Sequence, residues 1–195
     1  MTKPLIANPD VVTFLANRRS RPAKTLTGPG PDRDVLADLL IMAARTPDHG
    51  KLEPWRFVVL ERGVLGRLAD LVKVRGAVLG IDPDKITKAV DEYARSPGAV
   101  VVIESPKDSA KVPVIEQTYS AGAVCLALLN AALASGWGAN WLSGWPSHDP
   151  DFCAEGFGLE PHERVAGIIH IGTETAAPPE RPRPDVAALT TWLET

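Results

Sequence analysis

Apolar and polar positions change period several times along the chain, and each change marks an element. Residues 9–17 follow Asn8, which can cap a helix, with Pro9 at the first position and Val11, Phe14 and Leu15 on one face. Val35, Leu36, Leu39, Leu40 and Ala43 keep helical spacing, which predicts a second helix over residues 31–45. "WRFVVLE" then reads as a strand. Two short helices are expected over residues 64–74 and 83–96, separated by the breaker-like "RGAVLGIDPD". "GAVVVIES" (98–105) is a continuous β-branched run, the signature of a strand buried on both faces. A long helix is predicted over 112–135, followed by "WGANWLSGW" as a strand entering a loop and "VAGIIHIGT" (165–173) as the last strand. Beyond about residue 174 the chain is proline-rich and extended, suited to wrapping a surface. The order does not repeat βαβ. It predicts an α+β fold with helices around a mixed sheet, in one domain (1–195) carrying a C-terminal extension.

Composition narrows the function. With 195 residues, 45% apolar and 23% charged, the chain can bury a substantial core. A net charge of -3 argues against a general nucleic-acid or anionic-membrane binder. The two cysteines form no CxxC and no secretory signal opens the chain, so a reducing cytoplasm is expected. The longest apolar run (121–134) is interrupted by Asn130 and falls short of the roughly 20 residues of a spanning helix. It reads as a buried helix. There is no GxSxG, HExxH, P-loop or GxGxxG, and the four histidines lack ligand spacing, so no metal site is expected. Side chains alone offer little chemistry, which points to a bound cofactor.

Two stretches could hold one. "NRRSRPAK" gathers Arg18, Arg19, Ser20, Arg21 and Lys24, guanidinium donors suited to phosphate. The same arginines could equally complement a helix C-terminus. "AARTPDHGKLEPWRFVVL" (43–60) crowds Arg45, Asp48, His49, Lys51, Glu53 and Trp55 into one turn, either a solvated connection or the lining of a cleft. Taken in order with "KVPVIEQTYSAGAVCLALLNAALASGWGANWLSG" (111–144) and "VAGIIHIGT", these stretches resemble the FMN-dependent nitroreductase family, in particular its small members with a "PDH…PW" turn.

That resemblance implies an α+β sandwich forming an intertwined homodimer with FMN at the subunit interface. Arg18, Arg19 and Ser20 match the family's "RRS" at the phosphate and ring edge, with Arg183 or Arg181 of the tail as a further phosphate ligand. Arg45 and His49 match the turn that reaches the flavin from the partner subunit, and Trp141, Leu142 and Ser143 the segment lying along it. Ala131, Ala132, Leu133, Ala134, Ser135 and Gly136 correspond to a stretch associated with the nicotinamide nucleotide. The implied activity is NAD(P)H oxidation through flavin N5, with electrons passed to a nitro compound, quinone or similar small acceptor. The same fold also admits O2-dependent oxidation, or FMN storage with little turnover. No side chain is expected as acid, base or nucleophile.

The chain departs from the family pattern in places. Lys51 and Glu53 stand where many relatives have Asn and Gln, and Glu53 would need a partner such as Lys51 or Arg56. Pro22 stands where many have Lys, with Arg21 the nearest substitute. Cys125 and Cys153 are expected as packing residues, Trp137 and Trp145 as core or interface, His170 as a core histidine and His148 as the cap of a short helix.

Overall fold

A computed structural model describes residues 5–193. The helices are α1 (Pro9–Asn17), α2 (Arg33–Ala43), α3 (Arg62–Val78), α4 (Pro83–Arg95), α5 (Val114–Ala134) and α6 (Pro150–Phe157). The strands are β1 (Leu26–Thr27), β2 (Trp55–Leu60), β3 (Ala99–Glu104), β4 (Gly138–Leu142) and β5 (Arg164–Glu174). β5 is the spine of the sheet. It pairs with β3 over residues 164–170, with β4 over residues 168–172 and with β1 at its end, while β2 pairs with β3.

The fold is α+β as expected, but every described pairing is antiparallel, not mixed. The connections explain why. Two helices, α3 and α4, join β2 to β3, so the chain re-enters at the end of the sheet where it left. α5 crosses over between β3 and β4, which would favour a parallel pair, but β5 lies between those two strands and opposes both.

Each face of the sheet has its own core, and β3 divides its side chains between them by strict alternation. Ala99, Val101 and Ile103 join Leu65, Leu68, Val72, Tyr93 and Phe152 from α3, α4 and α6. Val100 and Val102 join Leu39, Val124, Cys125, Leu128 and Ala132 from α2 and α5. All six β3 residues are buried, as the β-branched run predicts. α5 has the length and apolarity of a spanning helix, yet half of its apolar window is buried inside the fold. It serves as the core helix of the second layer.

α3 runs to Val78 and not to residue 74, because the glycine in "RGAVLG" does not break it. Gly76 sits against α4, where a Cβ would come within 2.6 Å of Ile86 Cγ1. The glycine is there for close helix approach. The cap of α6 is Asp149, whose carboxylate accepts from Phe152 N at 3.3 Å, and not His148. Asp149 is also gripped by Arg75 at 2.7 Å, which ties α6 to α3.

Candidate active site

α1 begins as its sequence suggests, with Asn8 Oδ1 accepting from Val11 N. It stops at Asn17 because Arg18 turns extended. The segment that follows is stitched to β4. Arg21 N donates to Ala139 O at 2.8 Å, and Asn140 Nδ2 donates to Arg21 O at 2.8 Å. The Arg21 guanidinium is held by Glu174 at 2.9 Å. Arg21 therefore ties this segment to β4 and β5.

Stitching this segment down leaves Arg18, Arg19 and Ser20 facing the tail across a cleft of about 470 Å³, closed on the other side by Arg181, Pro182, Arg183 and Pro184. Arg18 Nη2 donates to Ser20 Oγ at 3.1 Å, and Arg183 pairs with Glu180 at 3.0 Å. The Nε atoms of Arg18 and Arg19 are buried without a hydrogen-bond partner. Burial first, then the neighbouring Arg183 and Arg19, pulls the Arg18 guanidinium below its ordinary pKa. Like charges crowded around orphaned donors fit a bound anion, and a phosphate supplies the acceptors they lack. Arg181 and Arg183 both line the cleft.

A second cavity, about 590 Å³, continues from the same segment. Pro22, Ala23 and Lys24 line it with Glu92 of α4 and with Asn140 and Leu142 of β4. Leu142 is thus brought beside the arginine segment. Trp141, 37% exposed, points to the other face of the sheet. Its indole lies over Gly167, where a Cβ would be 2.1 Å from Nε1. Any side chain at 167 would displace it. Ser143 is exposed just beyond the strand.

Arg45 and His49 line neither cavity. Both are exposed on the turn between α2 and β2, and His49 Nδ1 lies 2.6 Å from Glu116 Oε2 in the first turn of α5. This turn is tightly built. Glu53 N donates to Asp48 Oδ2 at 2.8 Å, while Ser120 Oγ donates to Pro47 O and accepts from Trp55 Nε1. Gly50, Lys51 and Glu53 all take positive φ. Glu53 has no ion pair among the described residues, and Arg56 is engaged by Glu163 instead.

In the 131–136 stretch, Ala131 and Ala132 are buried against the sheet and Leu133 packs beside them. Only Ala134, Ser135 and Gly136 are exposed, at the end of α5. Sequence reasoning missed Glu92, Asn140 and Glu116. Each reads as an ordinary polar position of its element, and only the tertiary fold sets it beside a site residue. The largest described cavity, about 790 Å³, contains none of the expected residues. Of its carboxylates, Glu104, Glu163 and Asp151 are already paired with Arg164, Arg56 and Arg75, and Glu160 is exposed. Among the described residues no cluster of three or more His, Cys, Asp or Glu could hold a metal.

The nitroreductase family model matches residues 15–173, and the chain belongs to that family. It is 33% identical over 164 residues to the Escherichia coli K12 protein named "Putative NAD(P)H nitroreductase YdjA", covering 84% of this chain and 88% of that one. A Haemophilus influenzae relative with the same NAD(P)H nitroreductase description is 36% identical over 166 residues, with the same coverage. Among solved structures, a nitroreductase-like family protein from Bacillus cereus superposes with a TM-score of 0.78 at 24% identity, covering 100% of both chains. A Desulfovibrio desulfuricans chain solved in complex with FMN gives 0.73 at 19% identity, covering 97% of this chain and 100% of that one.

Proposed function

We propose that this protein is an FMN-dependent NAD(P)H oxidoreductase. The observation that carries the proposal is the arginine cleft with its buried, unpartnered Arg18 and Arg19 Nε atoms. Family membership, the descriptions of the E. coli and H. influenzae relatives and the FMN complex of the D. desulfuricans neighbour all support it.

Arg18, Arg19, Ser20 and Arg183, with Arg181, hold the FMN phosphate, and Leu142 and Ser143 flank the ring, while Trp141 lies on the other face of the sheet against Gly167 and lines neither cavity. Pro22, Ala23 and Leu142 line the second cavity with apolar surface and keep water from the ring. FMN held by these residues would supply hydride and electron transfer between NAD(P)H and a nitro compound, quinone or similar acceptor. The protein's own work is binding, orientation and electrostatics. The exposed end of α5, at Ala134, Ser135 and Gly136, stays open to the nicotinamide nucleotide.

The site is completed in a homodimer. Ile115, Tyr119 and Leu126 are exposed at helical spacing on α5, and Val11, Val12 and Leu15 on α1, apolar surface suited to a second copy. Arg45 and His49, remote from their own arginine cleft, then reach the partner's flavin. The compartment is the cytoplasm, consistent with Cys125 and Cys153 both buried and free.

Steady-state oxidation of NADH and NADPH tests the activity, with a nitroaromatic, a quinone, or O2 alone as oxidant. The proposal expects turnover that depends on an added acceptor. Turnover with O2 alone would favour the O2-dependent reading, and none with any oxidant would favour FMN storage.

A further inference from the structure

Glu92 is half-buried on α4 and faces the second cavity. A Cβ placed on Gly144 would meet its Oε2 at 3.9 Å, so the carboxyl lies beside the backbone that follows Ser143. Its neighbours do not satisfy it. Arg95 pairs with Asp91 at 2.9 Å, and among the described residues Glu92 has neither a hydrogen bond nor an ion pair. Burial pushes its carboxyl above the usual range, with Lys88 partly opposing. A half-buried carboxyl with no protein partner, its oxygens still open to the cavity, is available to an N–H donor arriving there.

Chain geometry says which donor. Residues 18–20 line the arginine cleft and residues 22–24 the second cavity. At about 3.3 Å per extended residue, Ser20 and Ala23 are at most roughly 10 Å apart, comparable to the span from a phosphate to a ring across a short polyol. A ligand with its phosphate in the cleft carries its heterocycle to Glu92. Of the two ends of a flavin ring, only the pyrimidine carries an imide N–H.

We infer that Glu92 is a specificity-determining residue of the cofactor site, its carboxylate accepting the imide N–H of the flavin ring. The inference rests on the FMN reading above. It gives the Pro22 departure a consequence, since a carboxylate stands in the cavity that Pro22 lines.

The test compares FMN with N3-methyl FMN, which lacks that N–H, on the full-length protein and on Glu92→Leu and Glu92→Gln. Wild type should prefer FMN by at least about tenfold, the worth of one hydrogen bond to a charged group. Glu92→Leu should bind FMN at least about tenfold more weakly and treat the two flavins alike. Glu92→Gln, which keeps an acceptor oxygen without the charge, should retain part of the preference and raise the flavin's midpoint potential. That shift separates a direct contact from mere packing, and this variant decides the matter if Glu92→Leu fails to fold. Equal affinities in wild type, or full discrimination in Glu92→Gln with an unchanged potential, would overturn the inference while leaving FMN binding intact. Absence of FMN binding by wild type would instead sink the cofactor reading itself.

Discussion

His170 is the most deeply buried titratable group on β5, and burial holds its pKa down to about 4. Ser96 donates its one hydroxyl proton to Gly98 O at 3.0 Å, so its oxygen accepts from His170 Nδ1–H at 2.8 Å. The imidazole is therefore neutral and its tautomer fixed. The unfolded chain protonates this ring below about pH 6.5, whereas the folded one resists until about pH 4. Stability is thus fully present above pH 6.5 and falls on acidification through that window, by up to about 1.4 kcal/mol per pH unit. Chemical denaturation as a function of pH checks this, and His170→Phe should flatten the limb. A histidine inside an apolar strand was readable as a core residue. That Glu53 lacks a partner was not readable, because Arg56 goes to Glu163, 107 positions away in sequence.

Among the elements, the turn before β2 stores the most backbone strain. Lys51 and Glu53 sit at φ 54 and 49, a region that costs side-chain-bearing residues of order 1 kcal/mol or more. Lys51→Gly should raise stability by roughly 1 kcal/mol, read as a shift in denaturant midpoint at constant slope. Asp48→Ala removes the clamp on Glu53 N and should cost about 1 kcal/mol, read in the same denaturant titration. The crowding of charge in this turn was visible in "RTPDHGKLEPW", whereas the positive φ angles were not, since neither lysine nor glutamate announces them. The opposite error occurred at α3. Gly76 looked like a breaker but is a contact point for Ile86, and only the packed partner distinguishes the two roles.

At the scale of the molecule, the order of the long helices and of β2 to β5 followed from periodicity, while the two-residue β1 and the strand adjacency did not. β5, last in sequence, is central in the sheet, and no local pattern records that insertion. The proposed dimer likewise rests on apolar surface of α1 and α5 that the single chain leaves exposed. If FMN binds a site shared between subunits, as proposed, adding it should raise the thermal midpoint and shift any monomer–dimer equilibrium toward dimer. Mixing an Arg18→Ala variant with an Arg45→Ala, His49→Ala variant gives a sharper readout. In a mixed dimer one site carries every lesion and the other none, so tight FMN binding should partly return on mixing. If subunits exchange and no tight site returns, the cleft is built within one chain.

The central claim, that the arginine cleft is a flavin phosphate site, is tested most directly by titrating the apoprotein with FMN and with riboflavin. Wild type should bind FMN at least about tenfold more tightly than riboflavin, and Arg18→Ala should lose about 1.5–3 kcal/mol of FMN affinity while leaving riboflavin nearly unchanged. Equal affinity of wild type for the two flavins, or an Arg18→Ala variant that still prefers FMN in full, would contradict it.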